Sequence, residues 1–87
     1  MPRKPAYKHF VYVLESDDGR YYCGYTNDVD KRIEAHKEGR GAKFTRAFGC
    51  KRLVYVEMFR TKSRALKREA AIKKLERKEK EALWKHL

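Results

Sequence analysis

Residues Phe10 to His36 read FVYVLESDDGRYYCGYTNDVDKRIEAH, and the folding of this stretch decides the rest of the chain. His9 to Glu15 is built from β-branched and aromatic residues with no Gly or Pro, which predicts a strand. Phe10, Tyr12 and Leu14 share one face and Val11 and Val13 the other. Both faces are apolar, so the strand is expected to be central or covered on both sides. Arg20 to Thr26 is its partner. Ser16-Asp17-Asp18-Gly19-Arg20 suits a three-residue loop in which a type I turn ends on Gly in the left-handed region. If Ser16 pairs with Arg20, Leu14 faces Tyr22 and Tyr12 faces Gly24. The two tyrosines then lie diagonally on one face, and Gly24 leaves room for the Tyr12 ring. A slip of one residue would send them to opposite faces.

Asn27 to Gly39 predicts a helix, with Asn27 as N-cap, Asp28 and Asp30 at its positive end and Gly39 as its stop. Arg32 and His36 are one turn apart and fall on the same stripe as Val29 and Ile33. Taken singly, each suits a structural role: Arg32 laying its stem across the stripe, His36 a hydrogen-bonded edge residue. Gly39 to Lys51 holds glycines at 39, 41 and 49 with Arg40, Lys43, Arg46 and Lys51 among Phe44 and Phe48. It reads as a mobile basic loop suited to a nucleic-acid backbone, its phenylalanines serving equally as stacking platforms or as core.

Arg52 to Phe59 is a third strand. Thr61 to Leu87 lacks Gly and Pro and reads as helix, capped by Thr61 or Ser63 and broken near Leu75 to Lys78. Its second piece is expected to pack Leu83, Trp84 and Leu87. In the first piece Ala65, Leu66, Ala70 and Ile72 define an apolar arc, and Glu69 falls inside it. A carboxylate there must be paired, hydrogen-bonded or metal-bound, and a salt bridge to Arg32 is the plain structural alternative.

The charge points to a class of partner. The 23 Lys and Arg against 12 Asp and Glu leave a formal net charge of +11, which favours polyanions. A hydrophobic share of 41% in 87 residues supports one modest core, hence a single domain spanning 1–87 with residues 1–7 as a basic arm. No run is long and apolar enough to span a membrane, and no signal-like segment opens the chain. Cys23 and Cys50 are too few and too far apart for a disulfide framework or a zinc site. Free thiols in a reducing cytoplasm are therefore expected.

Together, Phe10-Val11-Tyr12, Tyr22-Cys23-Gly24, Thr26-Asn27, Arg32 with His36, and Glu69 resemble the GIY-YIG nuclease superfamily. The resemblance runs over almost the whole chain and is nearest to the small stand-alone bacterial members, with support from Arg68-Glu69-Ala70-Ala71-Ile72-Lys73-Lys74. Phe10 stands where the name-giving Gly would, and Cys23 replaces Ile. The resemblance implies an α/β (α+β) fold: a three-stranded antiparallel sheet flanked by helices, in the order β-β-α-β-α-α. It also implies phosphodiester cleavage with one divalent metal, Mg²⁺ or Mn²⁺. By position it makes Tyr12, Tyr22, Arg32 and His36 the catalytic set and Glu69 the metal ligand. Tyr25 falls where some members carry a Lys or His near the phosphate.

The chemistry asks for these residue types. Arg32 is a permanently charged fork suited to a phosphate. Mg²⁺ keeps several waters and needs few protein ligands, so Glu69 with phosphate oxygens suffices. Tyr12 is expected to be the base, Tyr22 to position water or phosphate, and His36 to relay a proton or orient Tyr12, the two tyrosine roles being exchangeable. Arg40, Lys43, Arg46 and Lys73 are the expected nucleic-acid contacts. The functional expectation is a metal-dependent DNA endonuclease, structure-directed in repair or recombination. The alternatives are a non-catalytic nucleic-acid-binding module on the same fold and a recruiter of an acidic protein.

Overall fold

The central strand is β1 (His9–Glu15), and the computed structural model, which describes residues 8–85, shows why. β2 (Tyr21–Thr26) pairs antiparallel on one side of it and β3 (Arg52–Phe59) antiparallel on the other, in the order β2-β1-β3. Val11, Tyr12, Val13 and Leu14 are all buried, as a strand with two apolar faces requires. The proposed basic arm (residues 1–7) and Leu87 lie outside the described residues.

The hairpin register is the one its turn chemistry predicts. Ser16 N–H donates to the Arg20 carbonyl at 2.8 Å, and Gly19 takes φ +86°. Leu14 therefore faces Tyr22 and Tyr12 faces Gly24. The turn is tied from within: Ser16 Oγ donates to Asp18 at 2.5 Å and accepts from the Arg20 N–H at 2.9 Å. On the β3 side a bulge between Val13 and Leu14 shifts the pairing, so that Val13 meets Tyr55 and Leu14 meets Leu53.

α1 (Val29–Lys37) starts one residue later than its sequence suggests: Asp28, not Asn27, is the N-cap, its carboxylate accepting from Lys31 N–H at 3.1 Å. Thr26 explains the shift, since its hydroxyl accepts from Asp28 N–H at 3.1 Å and so carries the chain through Asn27 into the cap. Gly39 follows the helix at φ +78°, the left-handed stop expected of it.

The stretch read as a mobile basic loop instead contains a helix, α2 (Lys43–Phe48), so the element order is β-β-α-α-β-α-α. Six residues do not hold a helix on their own. This one is held by its aromatic side chains. Phe44 packs on Tyr22 with ring centroids 5.4 Å apart and on Phe48 at 5.1 Å, and the Arg20 guanidinium sits 4.1 Å over Phe48. Both phenylalanines are half-buried.

α3 (Lys62–Lys73), capped by Thr61, crosses the opposite face of the sheet, where Ala65 and Ile72 join Val11, Val13 and Cys23 in the core. Fully burying a Val or Ile side chain contributes roughly 1.5–3 kcal/mol, the scale at which each of Val11, Val13 and Ile72 stabilises this face. Its inward stripe is narrower than the sequence arc: Leu66 and Ala70 are exposed, whereas Arg68 and Glu69 lie between the buried Ala65 and Ile72. Arg68 is matched there by Glu57 of β3, at 3.0 Å. The chain breaks after Lys74, and α4 (Arg77–Glu81) opens on a Glu76/Glu79 capping box. Beyond it Trp84 meets Tyr21 edge-on, ring centroids 5.0 Å apart, while the Tyr21 hydroxyl donates to Glu81 at 2.6 Å. No helix among the described residues is long and apolar enough to cross a membrane.

Candidate functional site

Because side chains alternate along β1, the face opposite α3 carries Tyr12, and β2 lays Tyr22 beside it. The two rings lie 6.3 Å apart, centroid to centroid. Tyr12 runs across Gly24: a Cβ built on Gly24 would stand 2.5 Å from the Tyr12 hydroxyl oxygen and 2.6 Å from its Cζ. Only a residue without a side chain fits beneath this ring.

α1 presents His36 to the same place. Its Nε2 is 2.9 Å from the Tyr12 hydroxyl oxygen, and its ring is 5.4 Å from that of Tyr22. Its Nδ1 is 2.8 Å from the Thr45 hydroxyl, which in turn donates to the Ala42 carbonyl at 3.2 Å. His36, Tyr12 and Thr45 are all buried. Gly41 passes so close that a Cβ there would stand 2.6 Å from His36 Cγ. Sequence reading missed Thr45 and Gly41. The glycine-rich run was the only available signal for Gly41, and nothing in the local sequence marks Thr45.

The other members arrive from further away. Arg32, one turn before His36 on α1, is exposed and lines a cleft of about 190 Å³ with Thr26, Asn27, Asp28, Lys31 and Ala35. Glu69 comes from α3 beside the edge strand β2, its carbonyl 3.9 Å from Cys23 Sγ. The Glu69–Arg32 salt bridge considered from sequence does not form: Glu69 is instead 3.2 Å from Lys73, one turn on. Lys73, read as a nucleic-acid contact, is thus partnered by the carboxylate. A larger hollow of about 480 Å³ at the β3–α3 corner, lined by Met58, Phe59, Arg60, Thr61 and Arg64, includes none of these residues.

Burial is the main influence on the charge states of Tyr12 and His36. Burial, helped by Tyr22 and by the Glu69 carboxylate, pushes the Tyr12 phenol well above its ordinary range, while the Arg32 guanidinium pulls it back. Burial and then Arg32 hold His36 below its usual value. The pair therefore rests as a neutral phenol against a neutral imidazole. On the far face burial, with the Glu69 carboxylate adding to it, pushes the Cys23 thiol up to about 11, and both cysteines are free.

The remaining candidates scatter. Tyr25 points to the α3 side of β2, stacked on His9 and bonded to its Nδ1 at 2.7 Å, so it does not join Tyr12. Arg40 is engaged with Glu38 at 2.5 Å. Lys43 and Arg46 are exposed on α2. Among the described residues no three of the His, Cys, Asp and Glu side chains converge as a metal cluster.

Residues 8–82 match the family described as the GIY-YIG catalytic domain. A UPF0213 protein of Halobacterium salinarum is 50% identical over 76 residues, covering 87% of this chain and 99% of its own. The UPF0213 protein of Bacillus halodurans, solved by solution NMR, is 49% identical with a TM-score of 0.56 and covers 86% of this chain and 80% of its own. A solution NMR structure of an E. faecalis protein is 40% identical with a TM-score of 0.59, covering 95% of this chain and 88% of its own. This chain therefore belongs to the GIY-YIG family, alongside the small UPF0213 proteins.

Proposed function

We propose that this chain is a divalent-metal-dependent endonuclease that hydrolyses DNA phosphodiester bonds, structure-directed in repair or recombination. One relationship carries the reading: the hydroxyl of buried Tyr12 lies 2.9 Å from His36 Nε2, with the Tyr22 ring beside both.

Each residue has a task in such a reaction. Arg32, exposed one turn before His36 on α1, binds the phosphate, its fixed charge offsetting the negative charge that builds on the phosphoryl oxygens. Half-buried Tyr22 lies between Phe44 and Tyr12 and positions the phosphate or the attacking water. Tyr12 is the base. Its phenol proton moves to His36 Nε2, 2.9 Å away, and the phenolate then takes a proton from the water. Arg32 favours that phenolate.

Glu69 is the residue that would hold the metal. A lone carboxylate, 18% exposed and paired with Lys73, suits an ion that keeps most of its waters rather than one needing a closed protein cage. Bound there with phosphate oxygens, Mg²⁺ or Mn²⁺ would supply charge neutralisation at the leaving oxygen. The surrounding basic surface, including Lys43 and Arg46, supplies the attraction to the nucleic-acid backbone.

The test incubates pure protein with labelled branched, nicked and linear DNA in Mg²⁺ or Mn²⁺. Cleavage that needs metal and is lost in Glu69→Ala and Tyr12→Phe is expected. Variants that cleave as well as wild type would show the site to be misassigned, and metal-independent binding without cleavage would make the chain a nucleic-acid-binding module.

A further inference from the structure

A neutral imidazole carries one proton and must choose a nitrogen, and His36 is held between two hydroxyls that force the choice. The Ala42 carbonyl can only accept. Thr45 has a single hydroxyl proton; placed on that carbonyl, 3.2 Å away, it leaves Thr45 to accept from His36 Nδ1, 2.8 Å away. Nδ1 must then bear the proton, leaving Nε2 bare. The other end of the chain of bonds accords with that answer. Tyr12 is 2% exposed, and Nε2 is the one side-chain partner of its hydroxyl among the described residues. With Nε2 bare, the buried Tyr12 phenol has an acceptor for its proton there.

We infer that Thr45 is a positioning residue: through the Ala42 carbonyl it fixes His36 as the Nδ1–H tautomer, with bare Nε2 aimed at the Tyr12 hydroxyl as its proton acceptor. The inference deepens the nuclease reading, in which Tyr12 must give up that proton before it can act as a base. The Tyr12 O–H bond breaks and an Nε2–H bond forms. The phenolate then removes a proton from the attacking water, re-forming the Tyr12 O–H, and the imidazolium later gives up its Nε2 proton to solvent. Throughout, Nδ1–H keeps the same acceptor, so the imidazolium forms without any partner having to turn.

The same geometry explains why a short helix stands here. Ala42 is the N-cap of α2 in extended conformation, with φ −158° and ψ 160°, and Thr45 is its third residue, so cap carbonyl and hydroxyl fall in line with Nδ1. Gly41, immediately before, passes over the ring where a side chain could not, since a Cβ there would stand 2.6 Å from His36 Cγ.

The test reads the tautomer directly, by long-range nitrogen–proton NMR correlation on protein labelled with ¹⁵N-histidine. It is read at a pH where His36 is neutral, with Mg²⁺-dependent cleavage measured on the same samples. Wild type is expected to show a protonated Nδ1 and a bare Nε2. Thr45→Val, nearly isosteric, is expected to lose that signature and to lower kcat by about 100-fold, the scale of a lost acid–base contribution, with KM for DNA little changed. Thr45→Ser should restore both spectrum and most of the rate. A wild-type His36 protonated on Nε2, or a Thr45→Val protein that keeps the Nδ1–H signature, would overturn the inference. Should Thr45→Val fail to fold, the wild-type and Thr45→Ser spectra decide. If wild type shows the expected tautomer but cleaves nothing, the nuclease reading fails and the role of Thr45 in setting the tautomer stands.

Discussion

The Tyr12 hydroxyl lies 2.9 Å from His36 Nε2, although the two residues are 24 positions apart in the chain. The contact joins the central strand to the first helix and is buried, so it is both a structural bond and a path for a proton. Tyr12→Phe should leave Nε2 without a donor in an apolar setting and lower stability by about 1–3 kcal/mol. Urea unfolding at neutral pH measures the change, and a variant as stable as wild type would show that the bond contributes nothing net.

Burial and Arg32 hold the His36 pKa below its ordinary value of about 6.5. The unfolded chain then binds the proton more readily than the folded one. His36 therefore contributes its full share of stability above about pH 6.5, and that share shrinks as the pH falls toward its folded value. Glu15 is held low by the Arg52 hydrogen bond and Glu81 by Tyr21, so their losses come only at more acid pH. Wild type should therefore lose stability between pH 7.5 and 5.5 where His36→Gln does not. Equal urea midpoints for wild type at the two pH values would contradict this.

Gly24 is expected to tolerate no side chain. An added Cβ would stand 2.5 Å from the Tyr12 hydroxyl, and because that atom ends a flexible side chain, the ring rather than the strand should yield. Gly24→Ala should cost about 1–3 kcal/mol while keeping the fold, and should break the approach of Tyr12 to His36. The near-ultraviolet circular dichroism of the tyrosines and the cleavage assay report the displacement. An unchanged spectrum with full activity would mean that the ring has room.

Glu69 separates activity from stability. Its pairing with Lys73 is an i,i+4 contact with a lysine 55% exposed, of a kind that contributes about 0.3–0.5 kcal/mol. Glu69→Gln should thus unfold within about 0.5 kcal/mol of wild type yet lose at least about 100-fold in metal-dependent cleavage, since metal charge stabilisation amounts to several kcal/mol. A large stability loss with retained cleavage would make Glu69 structural.

Lys43 and Arg46 are both exposed on α2. Reversing both charges should weaken DNA binding at every sequence and reduce the slope of log K against log salt by about 0.9 for each phosphate contact removed, with the melting temperature little changed. Fluorescence anisotropy across a salt series reads the slope. An unchanged slope would place the DNA on another face.

By itself the sequence determined what neighbours along the chain control. The turn Ser16–Arg20 set the hairpin register, and the register put Tyr12 opposite Gly24 and on the same face as Tyr22. Glycine at 39 ended α1, because a left-handed stop acts within one turn, and of the two hydroxyls offered at 61 and 63 the structure uses Thr61 to cap α3. What only the tertiary structure decided are contacts between elements distant in sequence. A six-residue helix at 43–48 has too little cooperativity to show as a periodic pattern, and it stands because Phe44 finds Tyr22 and Thr45 finds His36. The crossing of α3 over the sheet chose Arg68 and Glu69, rather than Leu66 and Ala70, for its inward stripe, and gave Glu69 to Lys73 instead of Arg32. The tyrosines were legible because a strand repeats every two residues; the bonds that orient His36 were not, because nothing local in the chain requires them.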